Sequence, residues 1–384
     1  AQKIPKDVTV HQDTRIDDYY WLKERDTQPV LDYLKAENDY TFAKMKHTEL
    51  LQKTLYNEMR GRIKEDDTTV PYKFGNYMYY TRTEEDLQYD IYCRKLGNSS
   101  GDEEITLNMN EMAKKHDYID LSAYKISPNE KLLALTIDTS GAELHKLIVK
   151  DIKTGEILDD NLSNLDGSVE WANDNKTLFY TVLDKAHRSF QLWRHELGNE
   201  QSDDVLVFQE DDDRFSVGLH RTKSGEFLKM DLESQITTEV YLLDRNDPFG
   251  EWKLVQPREQ GIEYYVYHRG DYLYQITNKD AINFKMIRTT LKGGKEDEFI
   301  PNRDKTTLDD VSMFKNHMAV LERVNGNLEI RLFNFEDESW YKIEMNEDIY
   351  SLTFEENYDW NSDFFRFGYG SFKTPYCVYD IDFK

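Results

Sequence analysis

Cysteine, glycine, proline and long apolar runs are all scarce in this sequence. The two cysteines, Cys93 and Cys377, are too few for a disulfide framework, and each lies among alternating apolar residues, which favours a small buried side chain. Because the chain has only 18 Gly and 8 Pro among 384 residues, a low-complexity chain is excluded. No stretch approaches the roughly 18–20 apolar residues of a membrane span, so we expect no membrane partner.

Metal and cofactor motifs are missing as well. The nine histidines are scattered, and the sequence contains no H-E-x-x-H, C-x-x-C, P-loop or dinucleotide-binding pattern. We therefore predict no metal site and no cofactor. His195 and His220 each alternate with strand-like residues, which predicts a structural role for both rather than a catalytic one.

The charge balance is strongly acidic. With 49 Lys and Arg against 74 Asp and Glu, the formal net charge is −25. Such a surface repels phosphate backbones, which argues against a nucleic-acid partner. It would attract cationic peptides and raise their encounter rate, although solubility alone also explains it.

The sequence pattern changes near residue 68. Apolar residues at helical spacing between Val30 and Ile63 predict two helices, Pro29 suits a first helical turn, and residues 4–14 are expected to be extended. From residue 69 onward, short runs rich in Tyr, Phe, Val, Ile and Leu recur between polar turns. We therefore expect two domains, an N-terminal arm with two helices at 1–68 and a β domain at 69–384.

The β region shows a weak repeat. Residues 126–134 and 169–179 both place an Asn-containing turn before a Lys and an apolar strand. At about 45 residues per four-stranded unit, the region divides into about seven units. The fold class is therefore predicted to be mainly β, a seven-bladed β-propeller preceded by an extended arm and two helices. A pair of β-sandwiches stays open as an alternative.

One apparent catalytic motif is interpreted as a decoy. The segment from Gly97 to Gly101 reads G-N-S-S-G and satisfies the G-x-S-x-G pattern of a nucleophile elbow, with Ser99 as the nucleophile. That elbow needs a strand before it and a helix after it. Here the acidic residues 102–104 lead into another short strand, so we predict a hairpin loop and no catalytic residue in this chain.

Several segments resemble the oligopeptidase B family, serine peptidases of the prolyl oligopeptidase group. They are D-D-Y-Y-W-L-K at 17–23, V-L-D-Y-L-K-A-E-N at 30–38, W-A-N-D at 171–174, Q-L-W-R-H at 191–195 and Y-G-S-F-K-T-P at 369–375. The resemblance runs along essentially the whole chain. It implies a propeller that restricts access of peptides to a C-terminal α/β-hydrolase domain, which cleaves after Arg or Lys.

The resemblance also implies that part of such an enzyme is absent from this chain. We expect the hydrolase domain to be absent from it and the catalytic triad to lie beyond Lys384, so that the chain alone is inactive. The hydrolase would be part of the same protein or a separate polypeptide, and peptide substrates, expected to be basic, would be the other partners. The residues expected to dock on the hydrolase domain lie in the N-terminal arm and first helix: Tyr20, Trp21, Leu22, Leu31 and Leu34.

Other interpretations stay open from the sequence. A free-standing propeller that binds proteins or peptides is the main alternative, and a glycosidase propeller with paired carboxylates fits the resemblance poorly. The compartment, cytoplasmic or periplasmic, is not resolved.

Overall fold

The structure, a computed structural model, describes residues 1–97 and 100–383 and divides into two compact units, Ala1–Glu65 and Asp66–Lys384. The first unit begins with an antiparallel hairpin of β1 (Lys6–Val10) and β2 (Asp13–Asp17). Its two turn residues, His11 and Gln12, both have positive φ (53° and 65°), as a two-residue turn between twisted strands requires. The extended arm therefore folds back on itself.

The two predicted helices follow a short 3-10 turn at Tyr20–Lys23. Helix α1 (Gln28–Met45) carries Pro29 in its first turn, where the missing N–H leaves no hydrogen bond unmade. Helix α2 (Glu49–Arg60) has Glu49 in its first turn and Arg60 in its last, and both charges suit the helix dipole.

The second unit begins with a four-stranded sheet and a seven-stranded sheet. The first sheet contains β3 (Tyr72–Phe74), β4 (Tyr77–Arg82), β5 (Ile91–Leu96) and β6 (Glu103–Asn108), and a short helix, α3 (Met109–Ala113), follows. The second contains β7 (Asp120–Ile126), β8 (Leu132–Asp138), β9 (His145–Asp151), β10 (Ile157–Trp171), β11 (Thr177–Leu183), β12 (Ser189–Glu196) and β13 (Val205–Gln209).

Three further four-stranded sheets and a three-stranded sheet complete the unit. They are β14 (Ser216–Arg221), β15 (Phe227–Glu233), β16 (Thr238–Asp244) and β17 (Lys253–Gln256); β18 (Tyr264–Arg269), β19 (Tyr272–Thr277), β20 (Lys285–Thr290) and β21 (Asp297–Ile300); β22 (Thr306–Met313), β23 (His317–Val324), β24 (Asn327–Asn334) and β25 (Trp340–Lys342); and β26 (Ser351–Phe354), β27 (Phe364–Gly370) and β28 (Cys377–Asp382). In every sheet, sequence neighbours pair in an antiparallel order.

The predicted count of seven four-stranded blades is wrong. The described strands of the second unit form a five-blade arrangement, four sheets of four strands and one of three, together with one seven-stranded sheet. The physical reason lies in β10, which runs unbroken for 15 residues. Its first half pairs with β9 and its second half with β11, so backbone hydrogen bonding continues where the repeat predicted a break between blades.

Apolar side chains between neighbouring sheets form the core. Phe179 and Leu192 of β11 and β12 pack with Leu219 and Leu228 of β14 and β15, and similar clusters join the later sheets. Burying each such side chain contributes about 1.5–3 kcal/mol, so these clusters stabilise the contacts between neighbouring sheets.

The last sheet contacts the first through side chains. Arg366 Nη1 donates to the carbonyl of Pro71 at 2.8 Å, and Lys73 Nζ lies 2.9 Å from Asp359 Oδ2. The rings of Tyr72 and Tyr358 are 4.9 Å apart between centroids. These contacts bring residues almost 300 positions apart to the wall of one cavity.

Candidate functional site: a cavity at the ends of the first strands

A cavity of about 870 Å³ lies where β3, β7, β14, β22, β26 and the second half of β10 lead into the turns that follow them. Aromatic side chains make up much of its wall, including Tyr72, Phe74, Tyr124, Trp171, Tyr358 and Trp360. Five cationic side chains and four carboxylates line it as well. In a protein with a net charge of −25, this wall is unusually rich in cations.

Arg245 and Trp171 fix one side of the cavity. Trp171 is the last residue of β10, and its indole N–H donates to the carbonyl of Lys125 at 2.9 Å. The Arg245 guanidinium, only 4% exposed, donates to the carbonyl of Trp171 from Nε and Nη2 and to that of Gly225 from Nη1, at 2.9–3.0 Å. Burial and the nearby charge of Arg221 lower the pKa of Arg245 to about 10.

Arg221 and Lys223 stand at the end of β14 and in the turn after it. The Arg221 guanidinium lies 4.7 Å from the centroid of the Phe74 ring. The Lys223 amine lies 3.1 Å from the centroid of the Phe314 ring and donates to Ser312 Oγ at 3.1 Å. Burial lowers the pKa of Lys223 to about 6, because the charged ammonium loses its hydration there.

The remaining two cations of the wall are paired with carboxylates. Lys125 Nζ forms an ion pair with Glu170 Oε1, and Lys73 pairs with Asp359. Glu355 accepts hydrogen bonds from the hydroxyls of Thr353 and Tyr376. His220 also lines the cavity, and its Nε2 lies 3.8 Å from Asp231 Oδ2.

The starts of β14 and β18, at the other end of these strands, are acidic. Glu233 pairs across the sheet with Ser216, the first residue of β14, and Glu263 directly precedes β18. Burial raises the pKa of the Glu233 carboxyl, and the charges of Asp231 and Glu263 raise it further. Carboxylates therefore lie near the start of β14 and β18, whereas Arg221 and Lys223 lie at the end of β14 and just after it.

The residues expected to dock on a hydrolase domain all lie in the first unit. Leu31 and Leu34 on α1 are 47% and 50% exposed. Trp21 is half-buried, donates from its indole N–H to the carbonyl of Gln2 at 3.0 Å and packs edge-on to Tyr33. The Lys6 amine lies 3.7 Å from the centroid of the Tyr20 ring. The docking role of these residues, and of the half-buried Leu22, stays a prediction.

The G-x-S-x-G segment lies between two paired strands, although Ser99 itself is outside the described residues. Gly97 directly follows β5, has a φ of 76° and donates its N–H to the carbonyl of Asn76 at 2.9 Å. Gly101 lies two residues before β6, which pairs antiparallel with β5.

These flanks fit a hairpin connection more closely than a catalytic turn. The described element after Gly101 is a strand, whereas a nucleophile elbow leads into a helix. The positive φ of Gly97 serves the turn out of β5 and needs no catalytic explanation. The interpretation of Ser99 as a decoy stays a prediction.

His195 is enclosed by two carboxylates inside the seven-stranded sheet. It is 0% exposed, with Nδ1 2.6 Å from Asp204 Oδ1 and Nε2 3.1 Å from Asp160 Oδ1. Burial disfavours the imidazolium, but the hydrogen bonds and charges of Asp204 and Asp160 outweigh it, and the pKa of His195 is raised. The cluster bridges β10, β12 and the segment before β13, away from the cavity.

Residues 369–375 span the end of β27 and the turn after it, and one carboxylate organises them. Glu347 accepts hydrogen bonds from the hydroxyls of Tyr369, Ser371 and Thr374 at 2.7–3.1 Å. The Y-x-S-x-x-T-P pattern therefore encodes a local hydrogen-bonded turn.

Sequence reasoning missed the cationic wall. Arg221 ends β14, Lys223 lies two residues later and Arg245 directly follows β16, in the segments H-R-T-K and D-R-N-D, which are typical of ordinary polar turns. Among the described residues, no three His, Cys, Asp or Glu side chains are grouped to hold a metal ion, and no described helix has the length and apolar content to cross a membrane.

Comparison with known proteins agrees on one family. The family model for the prolyl oligopeptidase N-terminal β-propeller domain matches residues 1–384. Protease 2 of Moraxella lacunata is 31% identical over all of this chain and 56% of its own length, and dipeptidyl aminopeptidase BI of Pseudoxanthomonas mexicana is 32% identical over 97% and 54%. The chain thus spans just over half the length of these relatives.

Solved structures give the same result. Oligopeptidase B from Leishmania major superposes with a TM-score of 0.92 at 26% identity, covering 100% of this chain and 58% of that protein. Oligopeptidase B from Trypanosoma brucei, solved with covalently bound antipain, superposes with a TM-score of 0.91 at 28% identity and the same coverage. The resemblance stated from the sequence motifs is therefore confirmed.

Proposed function

The chain belongs to the prolyl oligopeptidase N-terminal β-propeller family, and from that premise we propose that it is the substrate-gating region of an oligopeptidase B-like serine peptidase. An α/β-hydrolase domain, in the same or a separate polypeptide, would cleave short peptides after Arg or Lys. The observation that carries this proposal is the match along residues 1–384, together with the 0.92 TM-score to oligopeptidase B. We assign the catalytic triad to the part of the relatives that this chain does not match.

The size of the cavity supports a gating role. A volume of about 870 Å³ falls in the range that holds a drug-sized ligand, so a short peptide fits and a folded domain does not. A propeller that admits substrates through such a space excludes folded proteins on size alone.

The acidic residues at the start of the first strands support a preference for basic peptides. Burial raises the pKa of the Glu233 carboxyl, and repulsion from the charges of Asp231 and Glu263 raises it further. A cationic side chain placed among them would relieve that repulsion, and the net charge of −25 would draw basic peptides from solution.

Helix α1 supports docking of a second domain. Leu31 and Leu34, three residues apart, lie on the same side of the helix and expose about half of each side chain. Adjacent exposed apolar side chains mark an interaction surface more often than isolated ones do. We propose that this side of α1, with Tyr20, Trp21 and Leu22, contacts the hydrolase domain.

The test compares hydrolysis by two proteins. The purified 384-residue chain and the polypeptide, or pair of polypeptides, that also contains the hydrolase domain are given fluorogenic peptides with Arg, Lys or Ala at the cleaved position. We expect hydrolysis only when the hydrolase domain is present, at least about tenfold faster after Arg and Lys than after Ala. Ser99→Ala should leave that activity unchanged.

Two outcomes would contradict the proposal. Hydrolysis by the 384-residue chain alone would place a nucleophile within it. Failure to find any hydrolase activity, with peptides still bound by the chain, would favour the free-standing binding module. For docking, Leu31→Ser and Leu34→Ser should weaken association with the hydrolase domain, while Tyr40→Ser, at an exposed position on the opposite side of α1, should not.

A further inference from the structure

The cavity contains three basic side chains that form no ion pair with any described carboxylate. Arg221 and Arg245 are charged, whereas the lowered pKa of Lys223 leaves its amine largely uncharged until an anion binds beside it. Within residues 1–97 and 100–383, no Asp or Glu oxygen lies within ion-pair distance of Arg221, Lys223 or Arg245, although the other two lining cations, Lys73 and Lys125, are both paired. A buried charge without a counter-charge is costly, so a ligand that supplies the opposite charge would be stabilised beside it.

Arg245 is the most constrained of the three. Its guanidinium is 4% exposed yet meets only carbonyl oxygens, those of Trp171 and Gly225. Carbonyl dipoles orient the fork but do not cancel its full positive charge. A guanidinium has five N–H donors, and the contacts to these two carbonyls leave some of them available. The guanidinium of Arg245 can therefore donate to an oxyanion.

The charge of the nearby side chains therefore changes from negative at the start of β14 to positive at its end. Carboxylates gather where β14 and β18 begin, at Glu233 and Glu263, whereas β14 ends at Arg221, with Lys223 two residues on. A peptide with a positive end and a negative end would be oriented by this arrangement, since its C-terminal carboxylate is favoured at one end and a basic group at the other.

We propose that the end of the cavity formed by Arg221, Lys223 and Arg245 binds the C-terminal carboxylate of a short peptide. The proposal deepens the proposed function, on which it rests, by naming the group that this part of the propeller recognises. The occupant is a peptide rather than a bare inorganic ion because aromatic rings such as Phe74, Tyr358 and Trp360 line the same space. Those rings offer apolar contact to side chains, from which inorganic phosphate would gain nothing.

Binding to the 384-residue chain tests the proposal without any hydrolysis. The probes are acetyl-Gly-Phe-Ala with a free carboxylate and the same peptide as its C-terminal amide, neither of which carries a basic residue. Affinity is measured by calorimetry and by the change in tryptophan fluorescence, to which Trp171 and Trp360 contribute among the six Trp of the chain. We expect the acid to bind at least about tenfold more tightly than the amide, the effect typical of a charge-assisted hydrogen bond.

Variants locate the site. Arg221→Gln and Lys223→Met should each reduce the preference for the acid over the amide to less than about threefold. These two residues are chosen because neither side chain is bonded to the backbone, whereas Arg245 is. Arg214→Gln is the matched control, because Arg214 also faces a ring, that of Phe215 at 5.9 Å, but lies outside the cavity on the surface. The control should keep the full preference.

Three outcomes would overturn the proposal: equal affinity for acid and amide, a preference that survives both cavity variants, or binding of inorganic phosphate without binding of the peptide acid. Competition of phosphate with the acid would support it, since both are oxyanions. Because the assay needs no hydrolase, its failure leaves the peptidase assay unaffected, and loss of peptidase activity leaves this binding result standing.

Discussion

The cluster around His195 predicts a stability that depends on pH in a specific direction. Replacing His195 with Leu leaves the carboxylates of Asp160 and Asp204 buried, with side chains 4% and 1% exposed. Each keeps one other donor, the amide of Gly198 for Asp160 and the hydroxyl of Tyr180 for Asp204. Removing one partner of a buried ion pair costs about 3–5 kcal/mol, and because these donors remain we expect the lower end, about 3 kcal/mol.

That cost converts to a measurable melting shift. At about 2.1 cal/mol/K per residue, roughly 320 residues of the second unit unfold with an entropy of about 0.7 kcal/mol/K, so about 3 kcal/mol lowers the Tm by roughly 4–5 °C. Differential scanning calorimetry at pH 6 measures it. A melting temperature within about 1 °C of the unmodified chain would contradict the assignment of His195 as an ion-pair centre.

The sign of the pH effect follows from the raised pKa of His195. A group whose folded-state pKa lies above its unfolded value of about 6.5 stabilises the protein fully below that value, and the stabilisation is lost as the pH rises through the folded-state pKa. The Tm difference between the unmodified chain and His195→Leu should therefore shrink from pH 6 to pH 9.

His268 provides the matched control. It is 2% exposed, but its ring nitrogens contact uncharged groups, Ser224 Oγ at 2.8 Å and the carbonyl of Gly270 at 2.7 Å. His268→Leu leaves no buried carboxylate without its partner, so its Tm loss measures the removal of a buried, hydrogen-bonded ring alone. If the two variants show the same pH profile, or if the loss for His195→Leu grows with pH, the two-carboxylate explanation is refuted.

Three further predictions concern the cavity and the last sheet. At pH 7, a lysine-reactive succinimidyl ester should acylate Lys223 before the other lysines, because a pKa of about 6 leaves its amine mostly uncharged. Peptide mapping by mass spectrometry measures the labelling of each lysine, and equal labelling would contradict the prediction. Arg366→Ala should lower the Tm by several degrees and speed hydrogen exchange in β3 and β28, because Arg366 donates hydrogen bonds to Asp380 and to the Pro71 carbonyl. Unchanged exchange in β3 would show that Arg366 does not join the first and last sheets. Hydroxyl donors lower the pKa of the Glu347 carboxyl, so Glu347→Ala should lower the Tm at neutral pH, and the effect should disappear as the pH falls through that pKa; a loss that persists in acid would contradict it.

Local pattern was enough to predict the classes of structure in this chain. Helical spacing after Pro29 and alternating strands after residue 69 correspond to α1, α2 and the β sheets of the second unit. The number of sheets was not predictable in the same way. Residues 157–171 contain Gly167, a residue that often marks a strand boundary. The φ there is 109° and the register with β11 shifts between Leu165 and Val169, yet β10 continues to Trp171.

The candidate site was less accessible from the sequence because its residues are distant in the chain. Lys73 and Asp359 come from the first and last sheets, and only contact between those sheets brings them to 2.9 Å. His195 gives a similar lesson: its partners lie 35 and 9 residues away, on opposite sides in sequence. Alternation indicated that the residue was in a strand, but the pairing depends on which strands are neighbours.

Net charge and local charge have different consequences in this protein. The total of −25 acts over a Debye length of about 8 Å at physiological salt, so it governs how charged molecules approach the surface. Inside the cavity, Arg245 is only 4% exposed, and its field acts on whichever group comes within a few ångströms. A basic peptide would thus be attracted by the exterior and then oriented by its carboxylate. Added salt should slow its association far more than it weakens the preference for a free carboxylate, because buried charges are screened less than exposed ones.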